Sequence, residues 1–345
     1  MTSRFYIRYS IFYIFSSPFC YHSGGMGPYS IGVDLGGTNL RAAAIDRAGH
    51  VLDRRSAATD PAAGREAMLG HMVNAIADLR NACGSAGLAG IGIGVPGFIL
   101  LKLGVIRNSN NLACLEDFPI RDEIEHRLNA HVILENDANA AALGEKWMGA
   151  GRDVDDLVLL TLGTGVGGGI ISGGKVLQGY LGMAGELARI TVVPNGNPCG
   201  CGNQGCLEKH ASATAVTAMA NMLRLGENLS AREVYDLALA GNEKAARIFV
   251  SMGQALGVAL ATLVNAFKFP CICSAAACWL RGTCSRRPCW KRCAGAPSSS
   301  APPPRASRRL PWAMKRDSTA RPACPGWKRL CCTQSRSELC GWESM

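Results

Sequence analysis

Two glycine-rich turns, each following an apolar strand pattern, have the residues needed to bind a phosphate. The first is D-L-G-G-T at residues 34–38, and the second is G-T-G at residues 163–165. Glycines let backbone N–H groups approach an anion, a threonine hydroxyl adds a donor, and Asp34 can hold a hydrated Mg²⁺. Either turn alone could be an ordinary glycine hairpin. One in each half of the chain predicts a duplicated architecture that clamps a polyphosphate.

A carboxylate stands where another predicted strand ends and a helix begins. The segment E-N-D-A-N at residues 135–139 follows a strand at 131–134 and precedes a helix at 140–148. Open α/β folds place their chemistry at this end of a strand, which makes Asp137 a candidate functional residue. The alternative is that Asp137 or Asn139 serves only as the helix N-cap, and both roles can coexist on neighbouring residues.

Three cysteines have the spacing of metal ligands. Cys199, Cys201 and Cys206 form the pattern C-x-C-x4-C. In a cytosolic protein such spacing favours zinc over a disulfide, although three reduced structural cysteines remain the alternative. Zinc needs a fourth ligand, and His210 is close in sequence without a geometric reason to choose it.

The elements that position these groups form an α/β pattern. The sequence predicts three strands across 31–57, helices at 62–83 and 118–128, a buried strand at 91–95 and a polar loop at 108–112. Strands are predicted at 157–162 and 169–172 around the second glycine turn, and another after residues 185–186. Residues 213–267 are predicted helical, with breaks at 226–230 and 241.

The composition separates a near-neutral body from a basic, cysteine-rich tail. The net charge is +10, but residues 271–345 hold 14 Lys and Arg against 3 Asp and Glu, and 10 of the 16 Cys. Because the basic charge belongs to the tail, it gives no reason to expect a nucleic-acid partner.

The first 28 residues are aromatic and apolar, which is typical of a leader. A signal peptide is one interpretation, but the apolar run is short, is interrupted by Arg8 and lacks a small-residue cleavage site. We expect Met26 to be the true start. We also expect a cytoplasmic protein without a membrane partner, because no stretch has the length and apolarity of a bilayer span.

Together the motifs resemble the ROK family of sugar kinases, with the glucokinases of that family as the most similar pattern. The resemblance covers residues 29–267 and rests on D-L-G-G-T, G-V-P-G, E-N-D-A-N-A-A-A-L-G-E, L-G-T-G-V-G-G-G, G-E-L and C-G-C-G-N-Q-G-C-L-E. It implies an actin-like (ribonuclease H-like) α/β fold with two domains around a cleft, sugar at the bottom and ATP above. The expected domains are 29–137 and 138–270, the second incomplete, followed by an aberrant tail at 271–345.

The resemblance also implies roles for individual residues. Asp137 would be the general base that takes the proton from the sugar hydroxyl, and Asp34 would lie near Mg²⁺. The implied sugar-binding positions are Asn111, Asn136, Glu186, Arg189 and Glu208. The implied positions around the ATP phosphates are Gly36, Gly37, Thr38, Gly163, Thr164 and Gly165. Cys199, Cys201 and Cys206 would be three of the four zinc ligands.

Arg189 departs from the family pattern. The family has G-E-x-G-H where this chain has G-E-L-A-R at residues 185–189. The missing histidine normally supplies the fourth zinc bond and contacts the sugar. A guanidinium has no free lone pair and stays protonated, so we expect weaker zinc binding and poorer sugar binding.

The tail is the second departure and indicates a frameshift near residues 268–273. Read one frame over, residues 274–284 can give G-G-G-V-L-A-A-W-D-L, and residues 310–326 can give T-L-G-N-E-A-G-L-Y-G-A-A-R-L-P-W. Both strings resemble the family's C-terminal segments. The alternative is a genuine Cys-rich tail that binds metal or nucleic acid. As written, the Pro, Ser and Arg residues of 296–309 favour disorder and predict an unstable, poorly active protein.

The resulting prediction is an ATP-dependent kinase that converts a hexose, foremost glucose, to its 6-phosphate. The substrates would be a hexose and ATP, and the cofactors would be Mg²⁺ and structural zinc. A homodimer is compatible with the sequence, but no feature of the sequence predicts one. A non-catalytic, sugar-binding remnant is the first alternative. A sugar-responsive repressor ranks last, because residues 1–28 are too short and too aromatic for a helix-turn-helix.

Overall fold

The computed structural model describes residues 29–109, 111–276 and 329–332. The predicted leader and the tail segments 277–328 and 333–345, with their expected disorder, lie outside the described residues. The elements expected between residues 31 and 267 are present, with ends shifted by up to three residues. The strand expected after residues 185–186 is an exception, since Leu187–Arg189 forms a 3₁₀ turn and Thr191 makes a single bridge to Cys206.

The first half contains seven strands and two α-helices among the described residues. They are β1 (Tyr29–Leu35), β2 (Asn39–Asp46), β3 (Val51–Ala58), α1 (Arg65–Cys83), β4 (Leu88–Val95), β5 (Phe98–Leu100), β6 (Val105–Asn108), α2 (Ile120–Leu128) and β7 (Val132–Asn136). The main sheet has the order β3-β2-β1-β4-β7, with β1 antiparallel to β2 and parallel to β4. Met68, Met72 and Ile76 recur on one face of α1 and join Ile31 and Val33 in a single apolar core.

The second half repeats this sheet. Its described elements are α3 (Asp137–Met148), β8 (Leu157–Leu162), β9 (Val166–Ser172), β10 (Lys175–Val176), α4 (Glu208–Ala211), α5 (Ala213–Met222), α6 (Ala231–Leu239), α7 (Glu243–Phe267), β11 (Cys271–Ala276) and β12 (Arg329–Cys332). The order is β10-β9-β8-β11-β12, with β8 antiparallel to β9 and parallel to β11. The duplication predicted from the two glycine turns is therefore confirmed.

The second sheet continues past the boundary predicted at residue 270. Strand β11 pairs with β8 along its whole length, and β12 pairs with β11. Cys271, Ile272 and Cys273 are buried in this sheet. Small apolar side chains fit a central strand, and the ladder uses backbone groups that almost any sequence provides. Residues 271–276 and 329–332, which the sequence analysis assigns to the aberrant tail, are therefore strands of the second sheet.

Helix α7 corrects a second expectation. By length and composition its 25 residues could cross a membrane, whereas the sequence analysis expects no such stretch. One face packs in the core of the second half through Ile248, Met252 and Leu263, while Val250 and Val258 are exposed. In this fold the helix therefore serves as a core helix of the second half.

Candidate active site

A cleft of about 560 Å³ brings together side chains from both halves of the chain. The predicted site residues that line it are Asp34, Asn111, Asn136, Asp137, Gly163, Thr164, Gly165, Glu186, Arg189 and Glu208. The lining does not include the predicted residues Gly36, Gly37 and Thr38 or the three cysteines of the metal motif. The predicted base, the predicted sugar-binding carboxylates and one of the two glycine turns therefore all line the cleft.

Asp137 is the first residue of α3 and follows the carboxyl end of β7. Asn136 is the N-cap of this helix, because its Oδ1 accepts the N–H groups of Ala138 at 3.0 Å and Asn139 at 3.2 Å. The possibility that Asp137 or Asn139 is the cap therefore does not hold. The Asp137 carboxylate accepts the Ala138 N–H at 2.8 Å and remains exposed to the cleft.

The pKa of Asp137 is raised from 3.8 to about 6. The largest cause is the loss of hydration between the crowded walls of the cleft, and the negative charges of Asp34 and Glu186 act in the same direction. The hydrogen bond from Ala138 opposes them. A carboxylate with this pKa is mostly ionised at pH 7 and still takes up a proton more readily than an ordinary aspartate.

Asp34 lies opposite a cation that the sequence analysis missed. The register of the β1–β2 hairpin pairs Asp34 with Arg41, and their side chains approach to 3.7 Å. Burial raises the pKa of Asp34, and the charge of Arg41 opposes that shift. Because residues 34 and 41 flank a short turn symmetrically, the antiparallel register of the predicted hairpin would have identified the pair. Arg41 also lines the cleft.

The first glycine turn adjoins the cleft without lining it. The Gly36 N–H donates to the Asn39 carbonyl at 2.9 Å, and the Thr59 hydroxyl donates to the Gly36 carbonyl at 2.8 Å. A Cβ atom on Gly37 would lie 3.1 Å from the Cβ of Asn111. The turn is thus closed by its own hydrogen bonds and packs directly behind a residue of the cleft wall.

The second glycine turn is held by the start of α5. The Ala213 N–H donates to the Gly163 carbonyl at 2.9 Å, and the Thr214 hydroxyl donates to the Thr164 carbonyl at 2.8 Å. A Cβ atom on Gly165 would lie 2.7 Å from Glu208 Oε2, so a side chain there would collide with a cleft carboxylate. The turn and Glu208 therefore occupy adjacent parts of the wall.

Arg189 connects the cleft carboxylates with the cysteines. Its Nε lies 3.4 Å from Glu186 Oε2, and its Nη1 lies 3.4 Å from Glu208 Oε1. The same Nη1 donates to Cys199 Sγ at 3.3 Å. One guanidinium therefore contacts both predicted sugar-binding carboxylates and a predicted metal ligand.

The sulfur atoms of Cys199, Cys201 and Cys206 lie within 4.8 Å of one another. Burial raises the pKa of Cys199, but hydrogen bonds from Cys201, Cys206 and Arg189 outweigh it and bring the value to about 7. This donor set fits a thiophilic cation such as zinc through three of four ligands. In the described part of the chain His210 is not part of the group, and Arg189, which contacts it, cannot ligate.

Residues 30–277 match the family model described as "ROK family". The chain belongs to the ROK family. The glucokinase of Halalkalibacterium halodurans is 39% identical over 255 residues, which are 69% of this chain and 77% of that protein. At 32% identity the matches include the N-acetylmannosamine kinase of Shigella boydii, over 243 residues that are 70% of this chain and 81% of that protein.

Solved ROK structures share the fold. The ROK hexokinase of Thermus thermophilus has a TM-score of 0.66 and 35% identity, covering 74% of this chain and 83% of that one. The ROK glucokinase of Streptomyces griseus, solved with glucose and AMPPNP, has a TM-score of 0.61 and 34% identity, covering 72% and 83%. The predicted actin-like α/β fold is confirmed, and these likenesses make the chain a sugar kinase of the ROK family.

Proposed function

We propose that the chain transfers the γ-phosphoryl group of ATP to glucose and produces glucose 6-phosphate, with Asp137 as the general base. The observation that carries the proposal is the Asp137 carboxylate, which faces the cleft with a pKa of about 6. The glucokinase names of the relatives, and the glucose and AMPPNP of the Streptomyces griseus structure, support the choice of substrates. We assign the reaction to the cytoplasm, where ATP is present and thiols stay reduced.

Asp137 would accept the proton of the attacking sugar hydroxyl as its oxygen bonds to the γ-phosphorus and the bond to the leaving ADP breaks. Phosphoryl transfer asks little other covalent chemistry of a protein, so the remaining residues position groups and balance charge. Asn136 and Asn111 would hydrogen-bond the sugar from the first half. Glu186 and Glu208 would accept hydrogen bonds from hydroxyl groups on the opposite side.

The donor nucleotide would lie along the two glycine turns. Gly163, Thr164 and Gly165 line the cleft and would contact phosphates directly, and Gly36, Gly37 and Thr38 would do so from the adjoining hairpin. Mg²⁺ bound near Asp34 would offset phosphate charge during transfer. Zinc at the three cysteines would stabilise the loop that leads to Glu208, although Arg189 provides no fourth bond.

A non-catalytic sugar-binding remnant is the second candidate, and Arg189 is the observation that favours it. Its guanidinium contacts Glu186 and Glu208 together. A sugar would have to compete with this ion pair for the same carboxylate oxygens. Such competition predicts a raised KM for the sugar. The remnant hypothesis goes further and requires that the ion pair of Arg189 abolish turnover altogether.

ADP release with a panel of glucose, fructose, mannose and N-acetylmannosamine tests the proposal. We expect glucose to give the highest kcat/KM. A higher kcat/KM for N-acetylmannosamine would contradict the choice of glucose as the substrate but would still support a sugar kinase. Sugar binding measured by calorimetry, without turnover of any of the four, would establish the remnant instead.

A further inference from the structure

Glu135 is a buried carboxylate that the proposed mechanism does not use. It is the penultimate residue of β7, directly before Asn136, and is 7% exposed. Its Oε1 accepts the Asn136 backbone N–H at 2.9 Å and the Asn139 Nδ2 at 3.1 Å. Its Oε2 accepts the Gln178 Nε2 at 3.0 Å. Three donors therefore converge on one carboxylate behind the cleft wall.

The three donors come from segments that carry the proposed site. Asn136 is the N-cap beside Asp137, and Asn139 lies one turn into α3. Gln178 begins the loop that ends at Glu186, and its carbonyl accepts the Ala184 N–H at 3.0 Å. Glu135 thus joins the turn that holds the base to the loop that holds a sugar-binding carboxylate.

The packing around the same loop leaves little freedom to compensate for a lost contact. A Cβ atom on Gly185 would lie 3.1 Å from the Gly168 carbonyl and 3.7 Å from Asn139 Oδ1. A Cβ atom on Gly182 would lie 3.1 Å from the Ile99 carbonyl in the first half. The loop is therefore seated closely against both halves, and its position depends on where Gln178 is held.

A role in stability alone explains Glu135 poorly. Burying a carboxylate costs free energy that an apolar side chain of similar size would not. Burial raises the pKa of Glu135, and its three hydrogen bonds oppose that rise. What the carboxylate provides and an apolar residue cannot is a fixed link between three separate segments.

We propose that Glu135 is a positioning residue that sets the distance between Asp137 and Glu186, and so aligns the hexose with its base. The inference rests on the proposed function, since it assigns Glu135 the task of holding the residues that contact the substrate. It predicts that the direction of each hydrogen bond matters more than the presence of a charge at residue 135.

An exchange of partners tests this prediction. In Gln178→Glu a carboxylate oxygen replaces the donor that faces Glu135 Oε2, so two acceptors meet and no rotation of either side chain supplies a donor. The double variant Glu135→Gln with Gln178→Glu restores a donor facing an acceptor and keeps one carboxylate. Glu125→Gln is the matched control, because Glu125 Oε1 accepts the Val132 N–H at 2.8 Å at the other end of β7.

For Gln178→Glu we expect kcat/KM for glucose to fall about 10- to 100-fold, as for a displaced reacting group, with the KM for ATP changed less than about twofold. The double variant should recover about tenfold of that loss, whereas Glu125→Gln should stay within about twofold of the original protein. An unchanged single variant, or a double variant no better than the single, would overturn the proposal.

Two further measurements keep the result decisive. If Gln178→Glu does not fold, Gln178→Leu keeps the carboxylate with two donors and should still raise the glucose KM by about fivefold or more; an unchanged KM would overturn the proposal. If the unmodified chain shows no turnover, the proposed kinase function is contradicted. The same variants are then compared by their affinity for glucose, measured by calorimetry without ATP. Equal affinity in all of them, or no glucose binding at all, would then overturn the positioning role.

Discussion

At the scale of single residues, the proposed chemistry of the cleft depends on the charges of Asp137 and Arg189. The position of Asp137 after a strand and before a helix could be predicted from the sequence. The contact of Arg41 with Asp34 follows from the register of the predicted hairpin. The contacts of Glu135 could not be predicted, because they involve a loop more than 40 residues away in the chain. A motif identifies the residues that touch the substrate more readily than the residues that hold them.

The pKa of Asp137 predicts an acid limb in the activity. The base must be ionised, and its protonated fraction grows as the pH falls through about 6. We expect kcat/KM for glucose to be constant at neutral pH and to fall tenfold per pH unit well below 6. A pH–rate profile measures this, and a limb near pH 4 would contradict it.

The same shift predicts a stability effect of Asp137→Asn. The folded-state pKa of Asp137 lies above the ordinary value of 3.8, so folding favours the protonated carboxyl group. The contribution of Asp137 to the free energy of unfolding is therefore largest below pH 3.8 and is lost as the pH rises through about 6. We therefore expect the variant to melt at a higher temperature than the original chain at pH 7.5, and the difference to vanish near pH 4. A lower melting temperature at pH 7.5 would refute this.

Arg189→His tests the metal site. The substitution removes a guanidinium 3.3 Å from Cys199 and adds a side chain that can ligate zinc. We expect more zinc per chain to remain after gel filtration, measured by atomic absorption. Arg232→His, in an exposed ion pair on α6, is the control and should not change the zinc content. Equal zinc in both variants would refute the assignment of Arg189.

At the scale of elements, helix α3 packs closely against β9 because glycine occupies the contact. A Cβ atom on Gly169 would lie 2.7 Å from both the Ala138 carbonyl and the Ala142 Cβ. Periodicity predicted the helix and the strand but not the short distance between them. The spacing of residues within an element carries no information about the distance between two elements. The same limit applies to β11, whose cysteine-rich sequence has no strand signature.

Gly169→Ala should destabilise the fold. Overpacking of this kind costs about 1–3 kcal/mol, which lowers the melting temperature by roughly 2–6 °C in a protein of this size. Gly70→Ala is the matched control, since that position in α1 has no atom within 4 Å and alanine is the better helix former. It should leave stability unchanged or raise it. Equal effects of the two substitutions would contradict the close packing of α3 on β9.

At the scale of the whole molecule, two similar sheets face one cleft, and the sequence anticipated this from its paired glycine turns. The family match ends at residue 277, within the first segment that is readable in another frame, residues 274–284. Most strands and helices between residues 31 and 267 followed from motifs and periodicity. The two strands β11 and β12 did not, because pairing within a sheet depends on the backbone more than on the side-chain pattern.

Resequencing the gene across codons 260–285 tests the frameshift. We expect one base to be gained or lost near codons 268–273, so that the corrected frame continues with G-G-G-V. An unaltered sequence would show that the tail is the translated one. In that case we expect the protein to be unstable, and the kinase assignment describes its ancestry.

The most direct test of the central claim is ATP turnover with glucose by the full chain and by its Asp137→Asn variant. We predict that the full chain releases ADP in a glucose-dependent manner and that the variant loses about 10²- to 10⁴-fold in kcat, as expected when a general base is removed. The variant should still bind glucose in calorimetry. Turnover that survives the substitution would contradict the role of Asp137, and glucose binding without any turnover in the original chain would contradict the kinase itself.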